Sequence, residues 1–185
     1  MIEKSIGLIE LSSVAAGFVA ADTMLKAGDV RLLLSRSICS GKYMVLIGGD
    51  TAAVQSAVSA SAEVTHGCLI DQFVIANVHP DVFTALGRAT TVDPNARGAL
   101  GILESFNIAT LIQAADAAAK AANITLLEIR LAMALGGKAF CTLTGDVSAV
   151  QSAIEAGRKL IAEAGTLVNA VVISRPHPDV YREII

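Results

Sequence analysis

GGDTAAVQSAV (48–58) and TGDVSAVQSAI (144–154) are the same segment met twice, 96 positions apart. Each carries an Asp, then apolar residues three and four apart, the spacing of a helix with one buried face. Other pairs follow in the same order on either side. IGLIE (6–10) returns as LGILE (100–104), and AADTMLKAGDV (20–30) returns as AADAAAKAANI (114–124). HPDVF (79–83) returns as HPDVY (177–181). The chain is therefore a duplication of a module of about ninety residues, near the lower end of domain size. The reading is a first domain over 1–90, a linker over 91–97 and a second domain over 98–185. The stretch RATTVDPNAR (88–97), polar with one Pro, marks the joint.

Both modules parse alike. IGLIEL is a short apolar strand. VAAGFVAADTMLKAG has helical spacing and stops at Gly28. VRLLLSRS and KYMVLIGG read as strands, and Asp50 caps the next helix, opposing its dipole. CLIDQFVIANV is a fourth strand, and HPDVF is a tail. The order strand, helix, strand, strand, helix, strand is the split βαβ, or ferredoxin-like, pattern of the α+β class. It predicts an antiparallel sheet with helices on one face, and an opposite face and edges in need of partners.

Composition agrees with an assembling protein. Hydrophobic residues make up 54% of the 185, aromatic residues only 4%, and there is no Trp. A core of Ala, Val, Leu and Ile buries little area per residue, so oligomerisation is expected to add burial. No apolar run reaches the roughly 18 residues of a membrane span. The start, MIEKSIGLIELSS, lacks the pattern of a signal peptide, so the chain is expected in the cytosol. A net charge of −3 and scattered basic residues give no footprint for nucleic acid. The cysteines, Cys39, Cys68 and Cys141, have no metal-ligand spacing. His66, His79 and His177 lie outside any metal pattern, and no nucleophile–base–orienter set accompanies Glu10, Glu104, Asp22 or Asp116, so an enzyme is not expected.

GLIEL with AADTMLKAGDV, the loop before GKYMVLIGGD, and VVISRPHPDV resemble bacterial microcompartment shell proteins, as do GILES, AADAAAKAANI, GGKAF and TGDVSAVQSAI. The likeness covers nearly the whole chain. It implies two tandem, non-permuted microcompartment domains and a pseudohexameric homotrimer. Such tiles meet other shell proteins at their edges and carry a central pore.

The resemblance also implies site residues. SICSGK (37–42) and MALGGK (133–138) stand where the family's pore loops lie, with Gly41-Lys42 aligned to Gly137-Lys138 and Cys39 opposite Leu135. Pore-lining residues are then Ile38, Ser40, Gly41, Leu135, Gly136 and Gly137. ICSGK resembles the loop of cluster-bearing tandem shell proteins of propanediol-utilisation compartments, with Ser40 where the resemblance implies Pro. It implies a 4Fe-4S cluster held by one Cys39 from each of three chains, and a lumenal or cytosolic redox enzyme as electron partner. Lys26, Lys120, Asn77, Arg175 and His177 are implied at tile edges. Three other readings compete: a metabolite-conducting or gated pore without metal, a purely structural tile with a closed pore, and a trimeric small-molecule-binding regulator on the same repeat.

Overall fold

The computed structural model describes residues 4–87, 90, 98–132 and 135–182, without the side chains of Ser40 and Arg182. The linker 91–97 lies outside the described residues. The chain divides into two compact units, one ending at Val78 and the other beginning at His79.

The first unit contains β1 (Ser5–Leu11), α1 (Val14–Ala27), β2 (Val30–Ile38), β3 (Lys42–Gly49), α2 (Thr51–Thr65) and β4 (Leu69–Ala76). Its sheet has the order β2-β3-β1-β4 and is antiparallel throughout. The second unit opens with α3 (Pro80–Leu86). It then repeats the plan with β5 (Ala99–Ser105), α4 (Ile108–Ala121), β6 (Ile124–Leu131), β7 (Ala139–Gly145), α5 (Val147–Glu163) and β8 (Leu167–Ile173), and closes with α6 (Pro178–Arg182). The order β6-β7-β5-β8 copies the first sheet.

Local chemistry accounts for the helix starts. Ser13 accepts from the Ala16 N–H, and Asp50 accepts from those of Ala52 and Ala53. Asn107 does the same for Thr110 at α4. Gly28 follows α1 in an extended conformation rather than a left-handed cap; a Cβ there would sit 2.8 Å from the Ala53 carbonyl oxygen.

The first core lies between the helices and one sheet face: Ile9, Leu11, Tyr43, Val45 and Ile47 from strands, Ala20, Met24, Val54, Ala57 and Val58 from helices. Small residues let α2 lie close to β1. A Cβ on Gly7 would meet Val58 at 2.6 Å and Val54 at 2.7 Å. Gly101 occupies the same position in the second unit, under Ile154 at 2.8 Å.

The opposite face of the central strands, expected to need a partner, carries Ile6, Leu8, Met44 and Leu46, which are fully buried as well. Residues of this size on a central strand exclude water from both faces once covered, so exposure falls on β2 and β4 instead. The HPDVF segment, a tail of the first module by sequence, packs as α3 against α4 and β6 of the second unit. Val82, Ala85 and Leu86 bury there, which is what commits the segment.

The close helix–sheet contact predicts that Gly7→Ala costs about 1–3 kcal/mol through overpacking. Gly41→Ala, with nothing within 4 Å of its Cβ, pays only for its positive φ, about 1 kcal/mol. Urea unfolding of the two variants beside the parent chain measures both.

Candidate functional site

The first candidate loop is a tight one. Strands β2 and β3 pair down to Ile38 and Lys42, leaving three residues, Cys39–Gly41, in a single 3-10 turn. Gly41 has φ +71 and open space around it, a conformation glycine adopts without strain. Gly41 is exposed and Cys39 is half-buried. The side chain of Ser40 lies outside the described atoms. Ile38, expected to line a pore, is buried instead. As the last paired residue of β2, it closes the strand end.

The stem below this turn is held from several directions. Lys42 donates to Glu10 at 2.8 Å, and that carboxylate is buried. Glu10 pairs across the sheet with Met44, so Lys42, two residues before it, lies on the same face. Tyr43 points to the other face. Its hydroxyl lies 3.0 Å from that of Ser35, and its ring stacks tilted on Phe18 with centroids 5.3 Å apart. Gly17 leaves the room that ring needs.

The second candidate loop has the same stem and a different tip. Lys138 pairs with Glu104 at 2.6 Å, repeating Lys42 and Glu10. Met133 and Ala134 lie outside the described residues. Leu135 accepts from the Lys138 N–H, and the Ala132 N–H donates to the Lys138 carbonyl. Gly136 and Gly137 both have positive φ, +63 and +88. Gly136 is exposed, while Leu135 and Gly137 are half-buried. Leu135 stands three residues before its lysine, as Cys39 does, so the two tips differ by a thiol against an isobutyl group.

The other sequence candidates lie apart from these loops. Lys26 is exposed and paired with Asp22 at 2.6 Å; Lys120 is paired with Asp116 at 2.6 Å. Asn77 is exposed with φ 56, at the end of the first unit. Arg175 and His177 are exposed after β8. His177 Nδ1 accepts from the Asp179 N–H, as His79 Nδ1 does from Asp81.

Nothing in the spacing of either loop alone joins Glu10 to Lys42 or Glu104 to Lys138. The pairing was signalled by their common recurrence, 94 positions for the acids and 96 for the lysines. Asp116 was also missed as an acceptor: it takes the backbone N–H of His79 at 2.8 Å.

Among the described residues no three His, Cys, Asp or Glu side chains converge on a point that could hold a metal ion. No helix of the described residues is long and apolar enough to cross a membrane. The three thiols differ sharply. Cys141 is buried in β7, and burial pushes its pKa up to about 12. Cys39 and Cys68 are half-buried. Alkylation with iodoacetamide at pH 8 is therefore expected to label Cys39 and Cys68 and spare Cys141 until denaturant is added; mass spectrometry of the peptides checks this. Lys42→Met strands the buried Glu10 carboxylate and should cost about 1–3 kcal/mol. Lys26→Met breaks only an exposed pair and should cost about 0.5 kcal/mol or less. Thermal or urea unfolding separates the two.

Comparison with known proteins matches these features. A model of the BMC domain fits residues 5–78 and again residues 99–176. The chain is 39% identical over 184 residues to the bacterial microcompartment shell protein PduT of Citrobacter freundii, covering 100% of this chain and 99% of that one. Over 81 residues it is 38% identical to the bacterial microcompartment shell protein EutM of Escherichia coli K12, covering 44% of this chain and 81% of that one. The crystal structure of a microcompartment protein from Desulfitobacterium hafniense DCB superposes with a TM-score of 0.94 at 50% identity, covering 98% of this chain and 99% of that one. PduT and EutM are both bacterial microcompartment shell proteins. With two matched domains that fill most of its length and a fold shared from end to end, the chain belongs to the BMC-domain family as a tandem-domain shell protein of a bacterial microcompartment.

Proposed function

We propose that three copies of this chain close a pseudohexameric ring in a cytoplasmic microcompartment shell, with three Cys39 loops and three Leu135 loops alternating around a central pore. The three Cys39 thiolates would hold a 4Fe-4S cluster. The observation that carries this reading is the asymmetry of the loops: one stem, used twice, ends in a half-buried thiol in one copy and in Leu135 in the other.

The residues present fit such a group. Thiolates are the usual ligands of iron–sulfur clusters. One chain offers a single cysteine on this turn, and its described residues gather no further metal ligands there. Threefold symmetry supplies two more thiolates, and the fourth iron would take water or another small ligand. When bound, the cluster would supply one-electron transfer between the two sides of the shell. The chain's own part is to place and hold the sulfur. The two-strand stem fixes where the turn begins and ends, and the Glu10–Lys42 pair and the packed Tyr43 hold it still. With Lys42 paired to Glu10, backbone N–H groups near Gly41, Gly136 and Gly137 would be the donors left to face sulfur. The ring's edges, with Lys26, Lys120, Asn77, Arg175 and His177, would meet neighbouring shell proteins. A redox enzyme on one side of the shell would exchange the electron.

Anaerobic purification from iron-supplied cells, beside a Cys39→Ala variant, tests the reading. About four irons and four sulfides per trimer in the parent, the content of one cubane cluster, and their loss in the variant are the expected outcome. Iron that persists in the variant would sink the Cys39 assignment. Iron-free protein after reconstitution would leave a thiol-lined pore, suited to a polar metabolite.

A further inference from the structure

The two loops share a stem but not the packing beneath it. In the first unit Tyr43, the second residue of β3, is buried, and its ring lies under α1 at Gly17. A Cβ on Gly17 would overlap that ring. The matching pair in the second unit is Leu111 on α4 and Ala139 on β7, both fully buried. One unit puts the bulk on the strand and the other puts it on the helix. Such an exchange conserves volume, and cores tolerate it.

The tyrosine adds contacts that Leu111 cannot make. Its hydroxyl lies 3.0 Å from that of Ser35 on β2, and its ring meets Phe18 of α1 with centroids 5.3 Å apart. Ile129 and Ile112 stand at the places of Ser35 and Phe18 in the second unit. Four positions, 17, 18, 35 and 43, thus differ as a set between the halves. Tyr43 ties β3 to α1 and to β2 at once, and one of those ties is directional.

The stems differ in the same sense. Strands β2 and β3 pair through Ser37–Tyr43 and on to Ile38–Lys42, which leaves only Cys39–Gly41 for the turn. Strands β6 and β7 end their ladder one pair earlier, at Leu131–Ala139. Ile38 stays extended at φ −124, whereas Ala132, at the matching place, has φ 44, a conformation uncommon for a residue with a side chain. The ladder reaches the turn only in the half that holds Tyr43.

We infer that Tyr43 is a positioning residue for Cys39: with Gly17, Phe18 and Ser35 it clamps the base of the turn and keeps the thiol in one place relative to the strands. This assignment rests on the cluster reading above and names what holds each thiol still. Ligands that must converge on one group are held to within about 0.5 Å by the packing of their supports. Leu135 has no such demand to meet, and its stem is packed by aliphatic side chains alone.

The exchange between the halves supplies the test. Gly17→Leu with Tyr43→Ala gives the first unit the packing of the second, and its urea midpoint and circular dichroism are expected to stay near the parent's. In the iron-free chain, Cys39 of this variant should react with iodoacetamide at least roughly threefold faster, because a released turn opens more often. Cys68 is the internal standard, and its rate should not move. Ser35→Ala, a small change at a half-buried site, removes the hydroxyl partner alone and should speed Cys39 about twofold. Sedimentation velocity confirms that the chains compared share one oligomeric state. Cys39 rates equal to the parent's in both variants overturn the clamp. Equal acceleration of Cys68 overturns it too, since that marks general loosening. If the double variant does not fold, Ser35→Ala decides by the same criteria.

A second readout separates the clamp from the cluster. Parent and double variant are reconstituted anaerobically with iron and sulfide, then compared by iron content and electron spin resonance after timed exposure to air. Faster loss of iron from the variant is expected. A parent that takes up no iron sinks the cluster reading and leaves the clamp to the thiol rates. Equal retention of iron by both chains overturns the clamp's role toward the cluster.

Discussion

The central position of β1 is the constraint on which the first unit depends. All seven of its residues are buried, and it is paired on one side to β3 and on the other to β4. A one-residue slip would turn Ile9 and Leu11 from the helix face and bring Glu10 into the core, so the register is strongly determined. That register decides two distant things. Through Glu10 it fixes Lys42 and the stem of the Cys39 turn. At its start, Lys4 donates to Gly49 and accepts from Val78, which fixes where the chain leaves the unit.

Duplication lets one scaffold support two chemistries. The acid–lysine pair recurs at both loops, and at the first the buried Glu10 carboxylate would be costly without its cation. The tips are free of that constraint. Gly41, Gly136 and Gly137 meet nothing within 4 Å, so the residue beside them can change without disturbing the core. Cys39 against Leu135 is such a change. The stems are where stability resides, and the tips are where function can diverge.

Much of this was legible in the sequence because periodicity and capping are local. The strand and helix order and the Asp50 cap follow from spacing within a few residues of each element. The same reasoning misled where the cause was tertiary. Asp146 matches Asp50 in sequence but makes no side-chain cap bond at α5. HPDVF reads as the end of its own module, yet Val82 and Leu86 bury in the next unit. Ile38 flanks the cysteine and reads as part of the loop, but the strand pairing reaches it and buries it. Nothing within ten residues of these positions signals the outcome.

Burial also explains why the paired modules cannot be interchangeable. Where α4 is covered, Ala114, Ala115, Ala118 and Ala119 line a close contact, and Asp116 can be withdrawn from water because two donors compensate it. Where α1 is open, Met24 and Ala20 face inward while Phe18 and Leu25 stay outside. An isolated chain therefore keeps an apolar stripe in water beside a half-compensated carboxylate. Stripe and carboxylate lie together because they descend from a surface whose twin is covered, and a soluble monomer would have had every reason to lose the stripe. That stripe and the cysteine at the tip of the loop lie in the same half of the chain, whereas the second half has a covered α4 and Leu135 at the matching tip.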